Sequence, residues 1–162
     1  MEKSTPTVLI VVAEGCEDME VIVPLSVLKI AEANVVLAKV PEDEFDAKST
    51  ECMLGRGMRV ICDCFIDEIA KSDYDMVIAP GGRPGMDTLA KSAMVVELLK
   101  RHRESEKWIC SSSAGSAIIL GTNGLIHNIP VTTYPGFDYL LANKEAIKKH
   151  VVVANKTSKL KE

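Results

Sequence analysis

The chain has 162 residues, of which 47% are hydrophobic and 26% charged, and its net charge is −4. This composition is that of an ordinary globular protein, and the length predicts one domain, residues 1–162, with a sizeable core. The acidic balance argues against nucleic-acid binding. With no membrane-length apolar run and no signal-peptide pattern, the sequence predicts no membrane insertion and a cytoplasmic location.

The first predicted element is Thr7–Ala13, a continuous apolar and β-branched run typical of a central strand buried on both faces. Helical spacing then runs from Asp18, a candidate N-cap, and Pro24 must lie near the helix start or kink it. Glu20 lies in the first turn. It is either a residue favoured by the helix dipole or a carboxylate aimed into a cleft, and the sequence leaves both readings open.

Further strands and helices alternate along the middle of the chain. A polar stretch, 41–57, is too long for a plain connection and predicts a short hairpin. Three further strands are predicted at Asn34–Val40, Met58–Cys62 and Asp75–Ala79. Two short helical segments are predicted at Phe65–Ala70 and Met86–Lys91.

A glycine-rich loop, Pro80–Gly85, follows the strand that ends at Ala79. Its adjacent glycines, Gly81 and Gly82, either form a plain turn or expose N–H groups that can hold an oxyanion or a carboxylate. The loop has neither a Gly-Lys-Ser/Thr motif nor a GxGxxG fingerprint, which argues against a nucleotide or flavin binder.

The stretch from Trp108 to Leu120 predicts a strand, a tight turn and a helix, with Ser113 at the apex. A side chain there stands where an α/β fold usually puts a nucleophile or an anion site, although a plain turn is the alternative. In the preceding helix, capped by Ser92, His102 shares the apolar face and is interpreted as a partly buried or rim residue rather than a catalytic one.

Five cysteines, an odd number, fit no disulfide framework: Cys16, Cys52, Cys62, Cys64 and Cys110. The Cys62-Asp63-Cys64 segment suggests a soft metal, but no second Cys or His pair lies at the spacing of a zinc site. Free thiols are therefore predicted, with no metal and no cofactor. Cys110 and Ser113 are expected on opposite faces of the strand, so Cys110 does not replace Ser113.

The last predicted elements are a strand at Val131–Pro135, a helix from Phe137 to near Lys149 and a strand at His150–Ala154. Alternating strands and helices predict a parallel sheet with helices on both faces, whose site lies beyond the carboxyl ends of the strands. The candidate site residues at or just past those ends are Glu20, Gly81, Gly82, Ser113 and Tyr134.

Taken together, these segments resemble the ThiJ/PfpI superfamily, most closely its DJ-one branch. The matching segments follow the family's order: VLIVVAEGCEDMEVIVPLSVL, RGMRVICD, YDMVIAPGG, SAGSAIIL, GLIHN and VTTYPGF. The resemblance implies a flavodoxin-like three-layer α/β sandwich with a mostly parallel sheet, usually a homodimer. Activities reported for relatives include glyoxalase, deglycase, protease, chaperone and oxidative-stress sensing.

The resemblance also implies roles for single residues. Glu20 matches the glutamate that hydrogen-bonds the nucleophilic cysteine, and Gly81 and Gly82 match the oxyanion loop. In this reading the N–H group of Ala114 is a further oxyanion donor. Arg56 matches an arginine near the site and the subunit interface.

Two departures from the family pattern affect the expected chemistry. Ser113 occupies the position of the nucleophilic cysteine, and Tyr134 that of a histidine found in many members. A serine hydroxyl needs an adjacent base, and Glu20 is the only obvious candidate. After Thr157-Ser158-Lys159 the chain has no room for the family's long final helix, so tighter oligomerisation, rearrangement or lower stability is expected.

The sequence therefore leaves two functions open. One is a glyoxalase or deglycase that acts on small α-oxoaldehydes or glycated adducts, with Glu20 as general acid/base. The alternative is a non-catalytic, oxidative-stress-response or chaperone-like homodimer of the same fold. Whether the protein is an enzyme depends on whether the Ser113 hydroxyl can act as a nucleophile.

Overall fold

The computed structural model describes residues 5–127 and 131–141. Its strands in chain order are β1 (Thr7–Val12), β2 (Asn34–Lys39), β3 (Glu51–Met53), β4 (Arg59–Ile61), β5 (Cys64–Phe65), β6 (Met76–Ala79) and β7 (Trp108–Ser111). Five of them form a parallel sheet in the order β5-β2-β1-β6-β7, and β3 and β4 form a separate antiparallel pair.

The helices in chain order are α1 (Asp18–Ile30), α2 (Ile66–Ile69), α3 (Gly85–Lys91) and α4 (Ala93–Glu104). A π-helix, Ser116–Gly121, follows β7, and two 3₁₀ turns occupy Asp46–Lys48 and Asp138–Leu140. Pro24 lies inside α1. Among these described helices, none combines the length and the apolar character that a membrane crossing requires.

The core is centred on β1, where the side chains from Val8 to Val12 are at most 2% exposed. Because successive side chains of a strand point to opposite faces, this burial means that both faces of the sheet are covered. Burying each large aliphatic side chain here contributes about 1.5–3 kcal/mol to stability. The predicted α/β architecture, a mostly parallel sheet with helices on both faces, is confirmed.

The hairpin predicted within the stretch 41–57 lies partly beyond it: β3 is in this stretch, but its antiparallel partner β4 follows it, with Glu51 opposite Ile61. The helix predicted after the Ser113 turn is a π-helix over Ser116–Gly121, in which the N–H of Thr122 reaches back five residues to the carbonyl of Ala117 at 3.0 Å.

The strand predicted at Val131–Pro135 is wrong, since residues 131–133 are irregular. Their polar groups bind the loop after β7 instead of a neighbouring strand: Thr133 Oγ1 donates to the carbonyl of Ser113, and the carbonyl of Thr132 accepts from Ser116 Oγ, both at 3.1 Å. The predicted strand 150–154, most of the predicted helix 137–149 and the turn 157–159 lie outside the described residues.

Candidate active site

The candidate site lies at the carboxyl edge of the sheet, where the adjacent strands β1, β6 and β7 end. The loop after β1 is tied to the glycine-rich loop after β6, because Glu17 N donates to the carbonyl of Gly81 at 2.9 Å. The end of β7 is tied to the end of β6 by Ser111 Oγ, which donates to the carbonyl of Ala79 at 2.8 Å. Three loops that are distant in sequence therefore converge.

Two glycines allow this convergence. A Cβ atom on Gly81 would lie 2.9 Å from Glu20 Oε2 and 3.2 Å from the carbonyl oxygen of Ser112. Gly82 has a φ of +92° and a Cβ there would lie only 2.2 Å from the backbone nitrogen of Glu17. A side chain at Gly82 would therefore force this loop away from the backbone of Glu17, and one at Gly81 would displace the Glu20 carboxylate.

Glu20 projects from the first turn of α1 and is half-buried. Its Oε2 atom accepts a hydrogen bond from Gly81 N at 2.6 Å and another from the hydroxyl of Ser112. The carboxylate is thus held by one backbone group and one side chain. Of the two readings that the sequence left open, the structure supports a carboxylate aimed into the cleft.

Ser113 has a φ of +54°, a left-handed conformation that is uncommon for a residue with a side chain. Its carbonyl oxygen accepts from Ser116 Oγ at 3.1 Å, Thr133 Oγ1 at 3.1 Å and Tyr134 N at 3.3 Å. These three hydrogen bonds hold the strained turn in place. Ser113 is exposed at the apex, as the strand–turn–helix pattern predicted.

The backbone donors at the turn differ in their hydrogen bonding. Gly81 N–H donates to Glu20, as described above. Among residues 5–127 and 131–141, the N–H groups of Gly82 and Ala114 make no hydrogen bond. Backbone N–H groups that bind no other described residue are suited to an anionic oxygen.

Arg56 and Tyr134 lie at the rim. The Arg56 side chain is 76% exposed and its Nε is 3.2 Å from Glu17 Oε1, while its backbone N donates to Asp18 Oδ2 at 2.7 Å. Tyr134 meets the site through its backbone N–H to Ser113, and its ring is exposed. The structure thus brings Glu20 and the glycine loop into direct contact. Arg56 instead contacts Glu17 and Asp18, and Tyr134 contacts Ser113.

The surroundings of the five cysteine thiols disfavour the thiolate form, which is the nucleophilic one. All five are free, and burial raises the pKa of Cys16 and of Cys62 to about 12 and that of the others above the ordinary value: Cys52, Cys64 and Cys110. The described residues contain no group of three or more Cys, His, Asp or Glu side chains that could hold a metal ion. The prediction of free thiols is confirmed.

His102 lies away from this edge and is buried, with its ring nitrogens 3.0 Å from the carbonyl of Leu98 and 3.1 Å from that of Tyr74. The sequence predicted a partly buried or rim histidine, whereas the structure buries the side chain fully, at 1% exposure. The sequence reasoning missed Ser112, whose hydroxyl is the one that reaches Glu20. Its position at the end of a strand, beside a predicted carboxylate, was the available signal.

The fold and this edge define a parallel α/β protein with a carboxylate–serine site beyond the ends of its central strands. The DJ-1/PfpI family matches residues 6–159, and the chain belongs to this family. The recognition made from the sequence segments is therefore confirmed.

Individual relatives agree with this assignment. Protein DJ-1 homolog B of Arabidopsis thaliana is 32% identical over 151 residues, which is 93% of this chain and 33% of that protein. The chain thus spans about a third of that relative's length. A protein of Pyrococcus abyssi named as a deglycase is 27% identical over 148 residues, 90% of this chain and 84% of that protein.

Among solved structures, oxidized DJ-1 of Toxoplasma gondii matches with a TM-score of 0.84 and 30% identity. The match covers 94% of this chain and 79% of that one. The similarity therefore extends through nearly the whole chain and includes all of the elements that form the candidate site.

Proposed function

We propose that this protein converts small α-oxoaldehydes, or hydrolyses their adducts, as a glyoxalase or deglycase. The observation that carries the proposal is the Glu20 carboxylate, held by Gly81 N and Ser112 Oγ beside the exposed turn at Ser113. The name of the Pyrococcus relative, a deglycase, supports the same class of substrate.

The proposed chemistry needs a group that moves protons and donors that stabilise an oxyanion. Glu20 is the general acid/base, because it is the carboxylate hydrogen-bonded to the turn. The N–H groups of Gly82 and Ala114, which bind no other residue in the described part of the chain, are proposed to stabilise the anionic oxygen, since Gly81 N–H is already bound to Glu20. Arg56 and Tyr134 contribute to the rim, and the reaction adds water across the substrate without an oxidant or a cofactor.

The test is turnover of methylglyoxal to lactate by the purified protein. Glu20→Gln keeps the size and an accepting oxygen but removes the base, so we expect a loss of about 100-fold or more in kcat/KM. Glu97→Gln, an exposed change on α4, is the matched control. Turnover by Glu20→Gln equal to that of the unmodified protein would contradict the proposal.

A second candidate, the non-catalytic homodimer, is favoured by the surface of α1. Large apolar side chains that are 54–79% exposed recur at helical spacing along one face of this helix: Met19, Val23, Val27 and Ile30. An exposed apolar stripe of this kind usually marks a protein–protein contact. We infer that two copies pair through α1, near the Arg56 loop, which is joined to the helix by the hydrogen bond from Arg56 N to Asp18.

Light scattering tests this pairing. Val27→Lys places a charge in the stripe and is expected to shift the protein from dimer to monomer, whereas Ala93→Lys on the exposed side of α4 is not. If methylglyoxal is not consumed but the dimer suppresses aggregation of an unfolded client protein, the chaperone-like alternative is supported. A monomeric unmodified protein would contradict the pairing.

A further inference from the structure

The two adjacent hydroxyl groups of the turn have different surroundings. Ser112 and Ser113 are both exposed, but only Ser112 Oγ donates to Glu20 Oε2. All hydrogen bonds that other described residues make with Ser113 go to its carbonyl oxygen. Exposure therefore does not distinguish the two hydroxyls, whereas contact with the carboxylate does.

The backbone explains this difference. Ser112 follows directly after β7, and its carbonyl accepts from Gly115 N at 2.9 Å, which closes the turn. Ser113 then takes a φ of +54°, so its side chain leaves the chain in another direction from that of a strand residue. Of these two hydroxyls, the one on Ser112 is therefore the one in hydrogen-bond contact with the base.

The carboxylate is also fixed in this orientation. The oxygen that accepts from Ser112, Glu20 Oε2, accepts from Gly81 N at 2.6 Å, and a Cβ on Gly81 would lie 2.9 Å from the same atom. A glycine and a backbone N–H therefore hold the base toward Ser112. A serine becomes a nucleophile only when such a base accepts its proton.

From these contacts we propose that Ser112, activated by Glu20, is the nucleophile of the site, and that Ser113 is not. The identity of the substrate rests on the function proposed above. Ser112 Oγ bonds to the aldehyde carbon of the α-oxoaldehyde while its proton passes to Glu20, and the aldehyde oxygen takes up the electron pair of its double bond. Protonation of this oxygen by Glu20 gives a hemiacetal.

The remaining steps balance without an oxidant. Glu20 removes the hydrogen of the former aldehyde carbon as a proton and passes it to the neighbouring carbonyl oxygen, so that the C–H electron pair forms the carbon–carbon double bond of an enediol. Glu20 then moves the hydroxyl proton of the former aldehyde carbon to the neighbouring carbon, which leaves an α-hydroxy ester on Ser112. Water then cleaves this ester, so that the products are an α-hydroxy acid and the free hydroxyl of Ser112. The net reaction adds one water molecule to the α-oxoaldehyde.

A fluorophosphonate probe tests the nucleophile without depending on the substrate. The serine oxygen forms a bond to phosphorus, the phosphorus–fluorine bond breaks, fluoride leaves and the serine proton goes to Glu20. Peptide mass spectrometry is expected to find the label on Ser112 in the unmodified protein and in Ser113→Ala. Ser112→Ala and Glu20→Gln are expected to lose at least about 90% of it.

A label on Ser113, or no label on Ser112, would overturn the inference. Because Ser112 is exposed, its replacement by alanine is expected to leave the fold intact, which the urea unfolding midpoint checks. Ser112→Thr retains a hydroxyl and is expected to keep part of the labelling, which separates loss of the nucleophile from a distorted turn.

Turnover distinguishes failure of this inference from failure of the proposed function. If methylglyoxal is consumed, Ser112→Ala is expected to lower kcat by about 100-fold or more, and Ser105→Ala, at the opposite end of the sheet, by less than about twofold. Turnover that survives Ser112→Ala overturns the role of Ser112 but keeps the proposed function. If Ser112 is labelled but the protein consumes no methylglyoxal, the role of Ser112 as nucleophile is kept and the proposed function is overturned.

Discussion

Charged side chains stand near the carboxyl ends of two neighbouring strands, β1 and β2, and the two sites differ in how completely they are paired. Lys39, the last residue of β2, is 2% exposed and donates to the carbonyls of Asp46, Ser49 and Glu51 at 3.0, 2.9 and 2.7 Å. Glu20, in the helix after β1, is half-buried and accepts hydrogen bonds from Gly81 and from an exposed hydroxyl.

An ammonium group has three hydrogens, and the three carbonyls around Lys39 use them all. The carboxylate of Asp46 adds a countercharge. The Lys39 side chain itself is buried, so we interpret this cluster as the anchor of the loop that carries β3 and β4. The contrast indicates that a saturated, buried charge stabilises the fold, whereas a carboxylate bound to an exposed hydroxyl is available for chemistry.

The strongest test of this contrast is Lys39→Met. Removing the ammonium leaves the Asp46 carboxylate and three carbonyls without their partner, so the free energy of unfolding is expected to fall by about 3–5 kcal/mol. Urea unfolding measures this. Lys100→Met on the exposed side of α4 is the control and is expected to change it by less than about 0.5 kcal/mol. A loss equally small at Lys39 would mean that the cluster does not anchor the loop.

The open site is tested by Ser113→Cys. An exposed thiol has an ordinary pKa of about 8.5, lowered further near a helix N-terminus, whereas burial raises that of Cys16 to about 12. Iodoacetamide at pH 7.5 is therefore expected to modify the introduced thiol about 100-fold faster than the buried ones, because it attacks only thiolate.

Peptide mass spectrometry of the same molecule gives both rates, so the native cysteines serve as the internal control. Equal alkylation of the introduced thiol and Cys16 would show that the turn is less accessible than its exposure indicates. The same variant tests whether the family's thiol chemistry is recovered, as a gain in methylglyoxal turnover.

A third prediction concerns His102, a second buried group whose ring nitrogens both face carbonyls. Burial lowers its pKa, and the nearby charges of Lys107 and Arg101 act in the same direction, while the carbonyls of Leu98 and Tyr74 oppose it. The unfolded chain, with a histidine pKa of about 6.5, then binds the proton more readily than the folded one.

Stability is therefore complete above about pH 6.5 and is lost as the pH falls below it, by at most about 1.4 kcal/mol per pH unit. Urea unfolding at several pH values is expected to show a shallower loss for His102→Gln than for the unmodified protein. A protein whose stability rises as His102 becomes protonated would mean that the two carbonyls outweigh burial.

The smallest change in the free energy of unfolding is expected at Ser92, whose side chain acts within one helix. Ser92 Oγ accepts from Val95 N at 3.4 Å and caps α4. Ser92→Ala is expected to lower the free energy of unfolding by about 0.5–1 kcal/mol, and Ser92→Asp to restore it. A loss as large as that at Lys39 would remove the distinction between local caps and clusters that join separate elements.

Much of the fold could be predicted from the sequence because its patterns are local. The run at Thr7–Ala13 identified the central strand, the spacing after Asp18 identified α1, and the polar stretch 41–57 indicated a hairpin. The structure of residues Val131–Pro135 could not be predicted from a local pattern. Their pattern is typical of a strand, but the carbonyl of Ser113 and the hydroxyl of Ser116 bind their polar groups.

Parts of the candidate site could likewise be predicted from the sequence, and other parts depend on tertiary contacts. By itself the sequence determined which segments lie at the carboxyl edge of the sheet, since Glu20, the glycine loop and the serine turn each follow a strand of one parallel sheet. Only the tertiary structure decided which hydroxyl touches the carboxylate. That choice depends on the left-handed backbone at Ser113 and on the hydrogen bond that fixes Glu20, and both arise from contacts between residues that are distant in the chain.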